Sequence, residues 1–235
     1  MKLSHGLAAL ALTLAATAAH ADLTATVTGV SDYDFRGITQ TAQDPALQGS
    51  IDYSHSSGFY VGAWASSSLD FGNCCDEQWE LDSYAGFRGG ETVTYDVGAI
   101  YYSYPGTNFN VDYPEVYAGL GWKWLSAKVW YSPDFGSAAE TAWYYEANGS
   151  YTLPANFGLS AHVGYSDGDY WDRYFDGGYM DWNVGVTYTI SHFTVGLKWI
   201  DGSDLEATDG TPNDVLSSEA RAVLSVSTTF PWSKE

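Results

Sequence analysis

Few histidines and thiols are available in this 235-residue chain for acid–base or nucleophilic chemistry. Beyond the first 21 residues the histidines are His55, His162 and His192, and the only thiols are the adjacent Cys74 and Cys75. Catalysis needs a nucleophile, a base and an orienting group within hydrogen-bond reach. No Gly-x-Ser-x-Gly or His-Glu-x-x-His spacing surrounds any histidine, and no Gly-rich phosphate loop opens a helix. Two cysteines are too few for structural zinc, so Cys74 and Cys75 read as a loop-tip disulfide or free thiols. A Ser/His/Asp set assembled from distant strands stays open, with His162 as its base. Otherwise no catalytic residue, metal site or cofactor is expected.

Acids are the commoner reactive type. The chain carries 29 Asp and Glu against 9 Lys and Arg, for a formal charge of −20. Phosphate neutralisation needs clustered basic residues, so nucleic acid is excluded as a partner. Two stretches hold much of the acidity: Asp167, Asp169, Asp172 and Asp176, then Asp201, Asp204, Glu206, Asp209 and Asp214. Calcium through oxygen ligands is one reading. No twelve-residue calcium-loop spacing occurs, and a solvated acidic rim that concentrates cations is the expectation.

The elements that position these residues come from a period of two. In Phe193-Thr194-Val195-Gly196-Leu197-Lys198-Trp199 one face is apolar and the other small or polar, and Trp182 to Tyr188 repeats the pattern. Strands are expected at 23–35, 46–54, 58–68, 78–88, 91–104, 112–122, 124–132, 140–152, 156–166, 179–190, 192–201 and 218–230. Short turns alternate with longer acidic loops along the whole chain. The apolar faces end in aromatic residues such as Trp122, Trp143, Tyr151, Trp182, Tyr188 and Trp199. Strands of about 10 residues, an even strand number and aromatic girdles predict an all-β, transmembrane up-and-down antiparallel barrel of about 12 strands. Its short turns are expected at the periplasmic side and its long acidic loops outside. No run of about 20 apolar residues follows residue 21, so spanning helices are not expected.

Residues 1–21 read as a secretory signal peptide: Lys2, an apolar Leu7 to Ala16, and the small-residue site Ala19-His20-Ala21. The barrel then occupies 22–235.

The strand phase places Asp32, Asp34 and Arg36 toward the lumen on the first strand. It likewise turns Asp52, Glu80, Asp82, Arg88, Asp96, Glu115, Lys128, Glu146, His162, Lys198 and Arg221 inward. Basic residues facing lipid would cost about 2–4 kcal/mol at mid-depth, which favours this assignment. Arg36 is read either as a solute contact at the mouth or, preferentially, as an ion pair with Asp34 or Asp44 that pins a loop. Twelve strands tilted about 40° give a backbone diameter of about 23–24 Å and, after side chains, an opening of about 12 Å. Glycines such as Gly62, Gly86, Gly98 and Gly164 are expected to relieve strand bending more than to thin the wall.

The stretch Ser31-Asp32-Tyr33-Asp34-Phe35-Arg36-Gly37-Ile38-Thr39-Gln40-Thr41, with Asp44 to Gly49, Gly58 to Trp64, Glu80-Leu81-Asp82 and Pro114-Glu115-Val116-Tyr117, resembles the TorF-type porin family of proteobacteria. The resemblance runs through the mature chain. It implies an outer-membrane location and a porin-like role, without an assigned substrate. The expected partners are outer-membrane lipid, small polar solutes or ions, and the periplasmic chaperones and barrel-assembly machinery. A non-conducting structural or adhesion-type barrel is the alternative, and a barrel hydrolase the third reading. One departure is that Phe230, in the place of the terminal aromatic residue common to outer-membrane barrels, is followed by five further residues.

Overall fold

In the computed structural model, residues 21–67, 69, 79–107, 109–203 and 218–232 are described. Residues 1–20 of the expected leader, Cys74 and Cys75, and the acids Asp204, Glu206, Asp209 and Asp214 lie outside them, while Ala21, the leader's expected last residue, opens the first strand. The strands are β1 (Ala21–Val30), β2 (Asp34–Phe35), β3 (Ile38–Thr39), β4 (Ala46–His55), β5 (Phe59–Ser67), β6 (Trp79–Gly89) and β7 (Val93–Ser103). They continue with β8 (Tyr113–Trp122), β9 (Leu125–Ser132), β10 (Ala142–Thr152), β11 (Phe157–Asp167), β12 (Tyr179–Ile190), β13 (Phe193–Gly202) and β14 (Arg221–Phe230). A 3-10 turn at Phe135–Ser137 and one helix, α1 (Asp169–Tyr174), lie in the loops.

All strands but β2 and β3 form one closed antiparallel barrel of twelve, each pairing with its chain neighbour. β1 pairs with both β4 and β14, so the sheet has no free edge. Closure satisfies every ladder hydrogen bond inside the wall, which is what a spanning sheet requires in hydrocarbon. The outer face is apolar along the strands: Leu47, Ile51 and Leu120 are 61%, 61% and 62% exposed. In water each such side chain would forgo roughly 1.5–3 kcal/mol of burial, and facing lipid it forgoes nothing. Trp122, Tyr151, Tyr188 and Phe193 ring the turn end, while Trp79, Tyr101, Trp143 and Trp199 ring the loop end, all outward and exposed. The barrel is therefore a membrane-spanning one, as the alternation predicts.

The expected first strand is too long. β1 stops at Val30, and residues 31–45 leave the wall, so Asp32, Asp34 and Arg36 do not sit on a barrel strand. Within them β2 and β3 form a separate two-stranded hairpin. Its two-residue turn, Arg36-Gly37, has positive φ at both positions (53° and 82°), the left-handed pair that a tight hairpin of this type needs. The reading of aromatics as girdles alone also fails. A second population, including Tyr60, Tyr84, Tyr102, Tyr117, Tyr144 and Tyr179, alternates with the outward residues and makes its polar contacts inside.

Candidate functional site

The hairpin after β1 folds into the barrel instead of out into solvent. In the ring order β9 stands diametrically opposite β1, and the hairpin tip reaches that far wall. The Arg36 guanidinium makes a two-pronged bond to Glu115 on β8 (2.9 and 2.6 Å). It stacks on Tyr144 of β10 at 4.4 Å, Phe35 at 4.7 Å and Trp130 of β9 at 5.7 Å. The Tyr179 hydroxyl on β12 donates to the Arg36 carbonyl at 2.9 Å. Arg36 and Glu115 are 7% and 1% exposed, so the tip is fully docked. The partner that the sequence suggests for Arg36, Asp34 or Asp44, is thus replaced by a carboxylate 79 residues away.

The hairpin's near end is pinned to β14. Arg221 donates through Nε to Asp32 (2.5 Å), through Nη2 to Asp34 (2.6 Å) and through Nη1 to the Gly37 carbonyl (3.0 Å). The Thr39 and Thr41 hydroxyls also donate to Asp32. Burial pushes the Asp34 carboxyl up to about 6, against the pull of Arg221. Glu115, Trp130, Tyr144, Tyr179 and Arg221 all lie within three residues of the loop-side ends of their strands. Residues 31–41 are therefore a strap across the loop-side mouth, and side chains from β8, β9, β10, β12 and β14 hold it.

Under the strap lies a polar vestibule of about 440 Å³, lined by Asp52, Ser54, Tyr60, Tyr84, Arg88, Asp96, Tyr117 and Trp130 among others. Its groups satisfy one another. Tyr84 donates to Asp52, Tyr60 to Asp96 (2.6 Å), Lys128 to Asp96 (2.9 Å) and Arg88 to Ser54 (2.7 Å). Lys128 also sits over the rings of Tyr117 and Trp130. Several of the glycines serve these tyrosines, a role that strand phase alone does not suggest. Gly62, Gly86 and Gly98 face Tyr84, Tyr60 and Tyr117, whose rings lie over the bare backbone. A Cβ on Gly86 would stand 2.5 Å from Tyr60 Cζ and 2.6 Å from the Val97 carbonyl. Gly86→Ala should therefore lift Tyr60 off Asp96 and destabilise the barrel by about 1–3 kcal/mol. A urea titration of the folded fraction reads this, and an unchanged midpoint would refute the seat.

A third group surrounds His162 on β11. Its Nδ1 contacts Asn148 Oδ1 (2.7 Å), and its Nε2 contacts Tyr144 Oη (2.9 Å) and Asp181 Oδ1 (3.0 Å). Glu146 accepts from Trp130 Nε1 at 2.9 Å and from Asn148. No Ser or Cys is among the hydrogen-bond partners of His162 in the described residues, so no nucleophile stands beside it there. Glu80 and Asp82 are buried at the loop end of β6. Among the described residues they form no ion pair, and Asp82 Oδ1 has no hydrogen-bond partner. Lys198 points inward beside Gly185 and is exposed to the interior. Among the described residues no three metal-ligating side chains converge; in the acidic segment after β11, Asp169 instead accepts from Thr141.

Asp181 belongs with the inward acids. Extending the Trp182-Val184-Val186 alternation back by one residue would have found it. Tyr60, Tyr84, Tyr117, Tyr144 and Trp130 were equally accessible through phase but were overshadowed by their outward counterparts.

The family model for a bacterial protein of unknown function (Gcw_chp) matches residues 14–230. No curated protein matches the chain. Among solved structures, the NanC porin is 10% identical, with 88% of this chain and 99% of that chain covered and a TM-score of 0.57. A membrane protein from work on in-meso crystallisation is 15% identical, with 92% and 86% covered and a TM-score of 0.52. At these identities the likeness is one of fold.

Proposed function

We propose that this chain, which belongs to the Gcw_chp family of bacterial proteins of unknown function, is a porin-like channel of the outer membrane through which small polar solutes or ions diffuse passively. The observation that carries this reading is the polar vestibule of about 440 Å³ inside a wall whose outer face is apolar. The TorF-type resemblance of residues 31–49 supports the same role. Asp52, Arg88, Asp96, Lys128, Glu146, His162 and Lys198 line the path, Glu80, Asp82, Glu115 and Arg221 are buried in its wall at the loop end, and the strap carrying Asp32, Asp34 and Arg36 narrows it at the outer mouth. Cleavage of the leader and insertion by the barrel-assembly machinery, with the long loops outside, complete the proposal.

Interior carboxylates, Asp181 included, outnumber interior bases, so the path favours cations. Refolded protein in a planar bilayer is expected to give ion-conducting steps whose reversal potential in a KCl gradient favours potassium. Absence of steps across a wide salt range would overturn the channel. The non-conducting alternative draws on one observation, the complete docking of the strap across the mouth, and would then be the better reading. Steps with an anion preference would overturn the charge argument and leave the channel standing.

A further inference from the structure

Above the strap, on the side of the long loops, a second cavity of about 220 Å³ has a different chemistry. Its walls come from the strap (Phe35, Ile38, Gln40), the segments flanking β8 and the 3-10 turn, and α1 with the residues after it. Among the described residues no charged side chain lines it. Tyr113, Phe135 and Tyr170 follow one another at centroid separations of 4.6 and 4.8 Å, and Trp171 and Tyr179 continue the series at 4.8 Å. These rings are fixed: Tyr113, Phe135, Trp171 and Tyr179 are all buried. An apolar cavity of about 150 Å³ holds benzene and stays dry. One of about 220 Å³ takes a fused two-ring system.

We infer that this aromatic cup is a binding site for an uncharged aromatic molecule of indole size that carries one hydrogen-bond donor. The donor requirement comes from Gln40. Its Nε2 donates to the Ile38 carbonyl at 3.3 Å, and its own carbonyl oxygen has no partner among the described residues. A sugar of similar volume is a poorer match, because its several hydroxyls would lose water against walls that are mostly ring and aliphatic carbon, with only Gln40 and the tyrosine hydroxyls to replace it. An ionised ligand would find no counter-charge among the described residues of the cup's walls. The site goes beyond the channel reading and does not depend on conduction.

The test uses the full refolded chain in detergent, titrated with indole and 1-methylindole and followed by calorimetry. Saturable binding is expected, with indole about fivefold tighter than its N-methyl analogue, the weight of one neutral hydrogen bond. Gln40→Leu should erase that difference. Val111→Phe fills the cup and should abolish saturable binding of both compounds, while heat-modifiable migration on gels reports that the barrel is intact. Glucose should not bind. Absence of saturable indole binding to the wild-type chain would overturn the proposal, as would binding that survives Val111→Phe. Equal affinity for the two indoles, or tight glucose binding, would overturn the assigned ligand class.

Discussion

Replacing Arg36 with alanine is expected to destabilise the barrel by about 3–5 kcal/mol and to raise its single-channel conductance. The stability loss comes from the partner, not from the arginine. Glu115 is 1% exposed and accepts two bonds from Arg36 and one, at 3.1 Å, from the Tyr102 hydroxyl. Without the guanidinium a buried carboxylate keeps only that phenol, and an uncompensated buried charge costs about this much. The conductance gain comes from geometry. Arg36 supplies the tip's bond to β8 and its stacking on the rings of β9 and β10, so its loss frees the strap from the far wall. Arg36→Ala with Glu115→Gln separates the two effects. No orphaned charge remains at position 115, so most of the stability should return, while the strap stays unlatched and conductance stays high. Urea titration and planar-bilayer recording read the two quantities independently. Wild-type conductance in Arg36→Ala would mean that the strap does not set the constriction.

The wall of the barrel was legible because its environment is uniform. Lipid accepts only apolar side chains, so every strand from β4 to β14 repeats one phase, and a single misread residue is corrected by its neighbours. Loop and turn lengths alternate for the same topological reason. Interior contacts obey no such local rule. Arg36 and Glu115 are adjacent only because the chain turns at Arg36-Gly37 and crosses the lumen, and nothing in residues 31–41 alone marks the crossing. Their alternation, Asp32, Asp34 and Arg36, imitates a continuing strand. Those side chains do point at interior partners, but from a hairpin suspended within the barrel. The tyrosine seats were hidden by a different cause: Tyr60 lies on Gly86 through cross-strand register, which is set by pairing between β5 and β6. The aromatic cup combines strap, turn and helix, and only the folded chain brings these together.

The strap's near end yields a result opposite to that of its tip. Asp34→Asn is expected to leave the barrel at least as stable at pH 7.5, by up to about 3 kcal/mol, even though it removes half of the Arg221 double ion pair. The Asp34 carboxyl is raised from 3.8 to about 6, chiefly by burial. A carboxyl with a higher value in the fold than in the unfolded chain binds its proton more tightly when folded. Stability therefore falls as pH rises from about 4 to about 6, and the penalty is fully present above that window. Asparagine removes the charge that burial penalises and keeps an oxygen to accept from Arg221 Nη2, while Asp32 remains 2.5 Å from Nε as counter-charge. Its stability should fall less steeply than the wild type's across the same window, by the share that Asp34 contributes. Asp32→Asn is the contrast. Asp32 holds Arg221, Thr39 and Thr41 at once, and losing its charge should weaken the fold by roughly 1.5–3 kcal/mol, the range for hydrogen bonds to an ionised group. Urea midpoints taken between pH 4 and pH 8 decide the matter. A slope as steep in Asp34→Asn as in the wild type, or a loss of stability at pH 7.5 comparable to that of Asp32→Asn, would show that Asp34 latches the strap by charge and not in spite of it.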